Sequence, residues 1–211
     1  MMKSLALTIL AFCMALALPA QSFAQSNSVP LPQVSPPDPS KPTPQKKPPF
    51  ELAKDLDGLF GQLSRTRDSK RADRISTRIW ETWHTSDSRS VDLLTTWARS
   101  ASGSRRFNVA LDLLDQVIAL QPNYAEGFNQ RATLHFMMEN YGKSIVDIER
   151  TLALEPRHYG ALAGLATIFE RLGEKDRALK TWYRVLTVYP AMASAQDAVV
   201  RLEEDLAGSR I

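Results

Sequence analysis

LDQVIALQP (Leu114–Pro122), ERTLALEP (Glu149–Pro156) and YRVLTVYP (Tyr183–Pro190) end at three prolines spaced 34 residues apart. Each proline closes a run of apolar residues at helical spacing, and a fixed step of this length is that of one helix–turn–helix unit stacked on its neighbours. Proline ends the second helix of such a unit with no interior hydrogen bond lost. With slot one set at Val91, Ala125 and Tyr159, the three units align along their length. Slot four is large (Leu94, Phe128, Leu162), and slots eight (Ala98, Ala132, Ala166) and twenty (Ala110, Ser144, Ala178) are small. Slot twenty-four is large again (Leu114, Ile148, Trp182), slot twenty-seven holds Val117, Thr151 and Val185, and slot thirty-two is Pro122, Pro156 and Pro190. Small residues suit the points where two helices cross closely, and large ones fill the space above and below.

This slot pattern resembles the tetratricopeptide repeat. The resemblance implies an all-α fold: a right-handed superhelical stack of three units (91–124, 125–158, 159–192) closed by a C-terminal capping helix and tail (193–211). Gly173 supplies the turn between the helices of the third unit as the family expects. Arg105 and Glu139 stand at that slot in the other two, so those turns are expected to be made otherwise. Slot seven reads Trp97, Arg131, Leu165 and slot twenty-three reads Leu113, Asp147, Thr181. The unit with the arginine is the one with the aspartate, which predicts a partly buried Arg131–Asp147 ion pair.

Outward from the repeats, the preceding stretch reads as a degenerate helical pair (50–90). Leu52, Leu56, Leu59, Phe60 and Leu63 recur at helical spacing, followed by a second helix from Ala72 to His84 with Ile75, Ile79, Trp80 and Trp83 on one face. Ser90 is the expected N-cap of the first full unit. In the capping helix, Val199, Val200, Leu202 and Leu206 are expected to cover the end of the stack, with Gln196, Glu203, Glu204 and Asp205 facing water, as a solenoid terminus requires. Ahead of all this, nine of the chain's thirteen prolines lie between Pro30 and Pro49. That composition cannot bury enough surface to fold, so residues 25–49 read as an extended Pro-rich tether.

The chain opens with Met1-Met2-Lys3-Ser4, an apolar run from Leu5 to Leu18, and the small-x-small pattern Ser22-Phe23-Ala24. These are the regions of a secretory signal peptide (1–24) with cleavage after Ala24, its core too short for a stable membrane span. A periplasmic or secreted location follows as an expectation. Cys13 is the single cysteine and falls in that leader, so the mature chain is expected to carry no disulfide and no Cys-based metal site. The formal charge of +3 is spread over interspersed acids and bases, which excludes the concentrated basic face of a nucleic-acid binder.

Catalytic chemistry finds no foothold. His84, His135 and His158 show no metal-ligand spacing, and there is no Gly-rich phosphate loop or nucleophile–base grouping. His135 stands at a slot the family fills with an aromatic (Phe169 in the next unit) and reads as packing. His158 falls in a linking turn, and His84 ends a helix, where a cationic ring suits the dipole. Lys175, Arg177, Lys180 and Arg184 form an ordinary basic outer face. No cofactor and no metal are expected.

The family resemblance implies instead a concave groove lined by slots two, five, six, nine, twelve and thirteen. Here these include Asp92, Thr95, Thr96 and Arg99; Glu126, Asn129, Gln130, Thr133, Phe136 and Met137; Thr167, Glu170 and Arg171; with Arg201 joining from the cap. Phe136 and Met137 make one soft apolar patch in an otherwise polar groove. The carboxylate-clamping subfamily has lysine at slot five and asparagine at slot nine; Thr95 and Arg99 replace them, so that clamp is not implied. The expected role is non-enzymatic binding of a protein or peptide partner. A spacer between envelope layers and a chaperone-like assembly factor stand as alternatives.

Overall fold

The computed structural model describes residues 49–208. The leader, the Pro-rich tether before Pro49 and the tail after Gly208 lie outside the described residues. Among the described residues there are nine helices and no strand: α1 (Pro49–Leu63), α2 (Ser69–Trp83), α3 (Arg89–Gly103), α4 (Phe107–Leu120), α5 (Ala125–Met137), α6 (Tyr141–Leu154), α7 (Tyr159–Arg171), α8 (Lys175–Val188) and α9 (Ala193–Gly208). Helices α3 to α8 form three antiparallel pairs, each packed on the next, and α9 packs on α8. Helix α5 also touches α7 directly, so the first helices of successive pairs share one face of the stack.

The slots explain the pairing. Ala98, Ala132, Ala166, Ala110, Ser144 and Ala178 are all buried. At the middle crossing the Ser144 hydroxyl donates to the Ala132 carbonyl at 2.8 Å, joining slot twenty to slot eight. A larger side chain there would drive the two helices apart. Pro122, Pro156 and Pro190 each follow the C-cap residue of the second helix, namely Gln121, Glu155 and Tyr189.

The turns inside the pairs correct one expectation. Arg105 and Glu139 take the same left-handed backbone as Gly173, with φ of 57°, 59° and 75°. All three close the same motif: the amides of Arg106, Asn140 and Glu174 reach back to the carbonyls of Ala101, His135 and Phe169 at 2.8–2.9 Å. A side chain in this conformation costs about 1–2 kcal/mol, of which glycine's extra unfolded-state freedom offsets about half. Arg105→Gly and Glu139→Gly should therefore each stabilise by about 0.5–1 kcal/mol, raising Tm by about 2–4 °C in thermal melts. An unchanged or lower Tm would show that these side chains contribute more than the strain they carry.

The helix starts are set by local caps. Asp68 accepts from the Arg71 amide at 2.6 Å and starts α2. Ser88, not Ser90, caps α3, taking the Val91 amide. Pro49 sits at the first position of α1, where a missing amide proton costs nothing.

The first helical pair shares its core with the second and third units rather than with the α3–α4 pair that follows it in the chain. Leu59, Phe60, Leu63, Ile75, Ile79 and Trp83 belong to one apolar core with Tyr159, Leu162 and Tyr189. The core of the α3–α4 pair is a separate cluster around Ala98, Leu114 and Leu134. The α1–α2 hairpin thus lies against the second and third units, across their linking turns. Its sequence shows an amphipathic helix but not which surface that helix meets. At the other end, Ala195, Ala198, Val199 and Leu202 bury α9, while Val200 points outward at 56% exposure, against expectation. Lys175 pairs with Asp205 at 2.9 Å, so the basic outer face of α8 is partly spent on holding the cap.

Candidate partner-binding site

On the first-helix face, α2 runs across the N-terminal ends of α7 and α5. The Tyr189 hydroxyl donates to Asp73 at 2.7 Å, and the Tyr159 hydroxyl donates to the Ser76 carbonyl at 3.3 Å. Burial, with the Asp73 bond second, pushes the Tyr189 phenol up to about 12. Trp80 then meets Tyr159 and His158 edge-on, and Trp83 stacks on the His158 ring at 3.9 Å with a 6° interplanar angle. From α1, Asp57 takes Arg157 at 2.6 Å, and that guanidinium lies 4.2 Å over the Phe60 ring.

Glu126 is the centre of this contact. Sequence places it in the open groove; in the structure it is 2% exposed. One carboxylate oxygen accepts from Asn129 at 3.0 Å and from His158 Nε2 at 3.2 Å. The other accepts from Gln130 at 3.0 Å and faces His84 Nε2 at 3.3 Å. His158, expected in an open turn, is fully buried and caps α7: its Nδ1 accepts the Ala161 amide at 3.0 Å. Its proton therefore sits on Nε2, aimed at Glu126. Glu126 and Asn129 are thus structural, and Gln130 is half committed to them. The signal for this in sequence was faint: an acid at slot two and a histidine at slot thirty-four of one unit, with nothing to say that a second histidine comes from outside the repeats.

The remaining predicted residues divide into two clefts. Arg99, Gln130 and Thr133 line one between α3 and α5, whose rim is Trp80 and His84. Thr133 and Phe136 line the other with Gly164 and Thr167, between α5 and α7. Phe136 is half buried against Tyr141, with ring centroids 5.7 Å apart. Met137 is 47% exposed, its sulfur accepting from Ser102 of α3 at 3.8 Å, so the two halves of the expected apolar patch part, Phe136 toward α7 and Met137 toward α3. Glu170 is held by Trp182 Nε1 at 2.6 Å and by Arg201 at 2.7 Å, which joins the cap to α7. Arg171 is exposed.

Over 155 residues the chain is 49% identical to a TPR repeat-containing protein of Rhizobium etli, a match spanning 74% of this chain and 76% of that one. The chain belongs to the tetratricopeptide repeat family. The tetratricopeptide repeat profile itself matches residues 129–195, from the middle of α5 to the start of α9. Among solved structures, the first TPR of Spaghetti (RPAP3), bound to the HSP90 peptide SRMEEVD, superposes with a TM-score of 0.54 at 19% identity, covering 57% of this chain and 96% of that one. A MamA crystal structure gives 0.52 at 19% identity, covering 66% and 80%. At those identities the likeness is one of fold.

One polar cluster of this tetratricopeptide repeat stack lies off the groove. Arg131 and Asp147 meet as a bidentate pair on the side away from it. Beside them His135 is buried, its Nδ1 without a partner among the described residues. Burial holds its imidazole below the ordinary range, with Lys143 and Arg131 adding to the effect and Asp147 opposing it. The folded state therefore favours the neutral ring. Below about pH 6.5 the unfolded chain takes up the proton more readily, so His135 lowers stability as pH falls. His135→Phe, the residue of the next unit, should narrow the gap between Tm at about pH 8 and at about pH 5. A gap left as wide as in the wild type would clear His135 of the acid sensitivity.

Proposed function

We propose that this tetratricopeptide repeat protein is an exported, non-catalytic adaptor that binds a protein or peptide partner on the face formed by α3, α5 and α7. The observation that carries the reading is the cleft beside Phe136: small residues of α7 (Gly164, Thr167) face an aromatic ring of α5 across an open space, and the exposed Arg171 follows one helical turn after Thr167. Such a cleft takes an apolar side chain while the polar rim contacts backbone. The peptide carried by a structural neighbour of the same fold supports this use of the face. The leader sequence supports the envelope as the place.

A photo-crosslinking residue at Thr133, in the full chain expressed in its own cell envelope, should capture a discrete partner. Phe136→Ala and Arg171→Ala should each lower that yield about tenfold, a loss typical of a contact at the centre of an interface. Val146→Ala, on the exposed side of α6, should leave it unchanged. Equal yields from all three variants would instead favour a spacer. N-terminal sequencing of the mature chain should begin at Gln25.

A further inference from the structure

Helix α2 sits on the repeats as a bound ligand would. It contributes a ring, Trp80, to a seat that exists because slot two of the third unit is glycine: a Cβ on Gly160 would lie 2.8 Å from two carbons of that ring. The first two units carry Asp92 and Glu126 at this slot. Four residues after Trp80, His84 supplies a basic ring. Its Nδ1 lies 2.7 Å from the Trp80 carbonyl and so donates to it, which turns Nε2 toward the buried Glu126 carboxylate at 3.3 Å. Arg99 lies across the same cleft, and His158 holds the other carboxylate oxygen.

We propose that the inner face of this stack recognises an amphipathic helix bearing an aromatic ring and, four residues later, a basic side chain, and that α2 is its built-in occupant, competing with such a helix in the partner. The inference rests on the adaptor reading and names the partner's chemistry. The glycine seat takes the ring, and the buried carboxylate takes the basic side chain. Residues 84–88 tether α2 to α3, and a tether this short gives an effective concentration of about a millimolar. A partner helix must therefore outcompete α2 rather than find an empty groove.

The test uses the full-length chain, uniformly labelled with nitrogen-15, and an unlabelled synthetic peptide of residues 69–88 as the probe, at about millimolar concentration. Hydrogen exchange in the protein's own α2 should quicken about tenfold while α6 and α8 keep their protection. A peptide with alanine at the positions of Trp80 and His84 should do nothing. In the chain, Gly160→Val should expose α2 to exchange without any peptide. The proposal is overturned if the probe leaves α2 exchange unchanged, if the alanine peptide works as well, or if α2 stays protected in Gly160→Val. A wild-type dimer that the probe splits would assign the seat to a second copy's hairpin and overturn the partner assignment. The readout lies in α2 alone, so it is decided whether or not a cellular partner is captured.

Discussion

Glu126→Ala should lower the stability of this protein by about 3–5 kcal/mol, with a fall in Tm of about 10 °C. The carboxylate is buried and accepts from Asn129, Gln130 and His158 while facing His84. Truncation leaves three donors without an acceptor in a site water hardly reaches, and buried donors left unmade are the costly case. Glu126→Gln keeps one oxygen acceptor and the shape, so it should lose less than half as much. Calorimetry of the three proteins at neutral pH checks this, and the ordering matters more than the absolute values. If alanine and glutamine cost the same, the site is packing and the hydrogen-bonded hub is not what holds α2 to the repeats. A loss below about 1 kcal/mol for alanine, in the range of an exposed ion pair, would mean that water already solvates the carboxylate.

What the sequence made legible, and what it did not, follows from the range of the forces involved. The three pairs could be read because each slot is fixed by contacts within one unit or to the next, and alanine at slot eight means the same thing three times. The Arg131–Asp147 pair was legible for the same reason, since one departure from the pattern compensated another inside the same unit. The left-handed turns at Arg105 and Glu139 were not, because the stacked helices impose a conformation that neither residue favours. The place of α1–α2 was illegible for a different reason. Ile75, Ile79 and Trp83 announce an apolar stripe, but a stripe carries no information on which surface it meets. Gly160 is a clue of the right kind, a slot emptied of its side chain, but only the neighbouring Trp80 gives it a meaning. Reading Glu126 as a groove residue failed on the same point: its exposure depended on an element from outside the repeat.

The second large effect expected is one of non-additivity at Arg131. Its guanidinium gives two bonds to Asp147, Nε to Oδ2 at 2.8 Å and a terminal nitrogen to Oδ1 at 2.7 Å, and a third to Asp115 at 2.7 Å. Asp147 is buried, whereas Asp115 is mostly in water. Arg131→Leu strands a buried carboxylate and should cost about 3–5 kcal/mol. Asp115→Ala removes only the solvated partner and should cost about 1 kcal/mol or less. The third unit carries Leu165 and Thr181 at the two slots, with the Thr181 hydroxyl satisfied by the Arg177 carbonyl at 2.7 Å. Arg131→Leu with Asp147→Thr therefore installs a pairing this fold already accommodates one unit along. The double variant should return to within about 1 kcal/mol of the wild type, giving a coupling of about 2 kcal/mol or more in a denaturant-unfolding cycle. A double variant as unstable as Arg131→Leu alone would show that the middle unit needs its charges for more than their mutual satisfaction. In that case the reason would have to be sought in the contact of Arg131 with the Phe128 ring, 5.8 Å from its centroid.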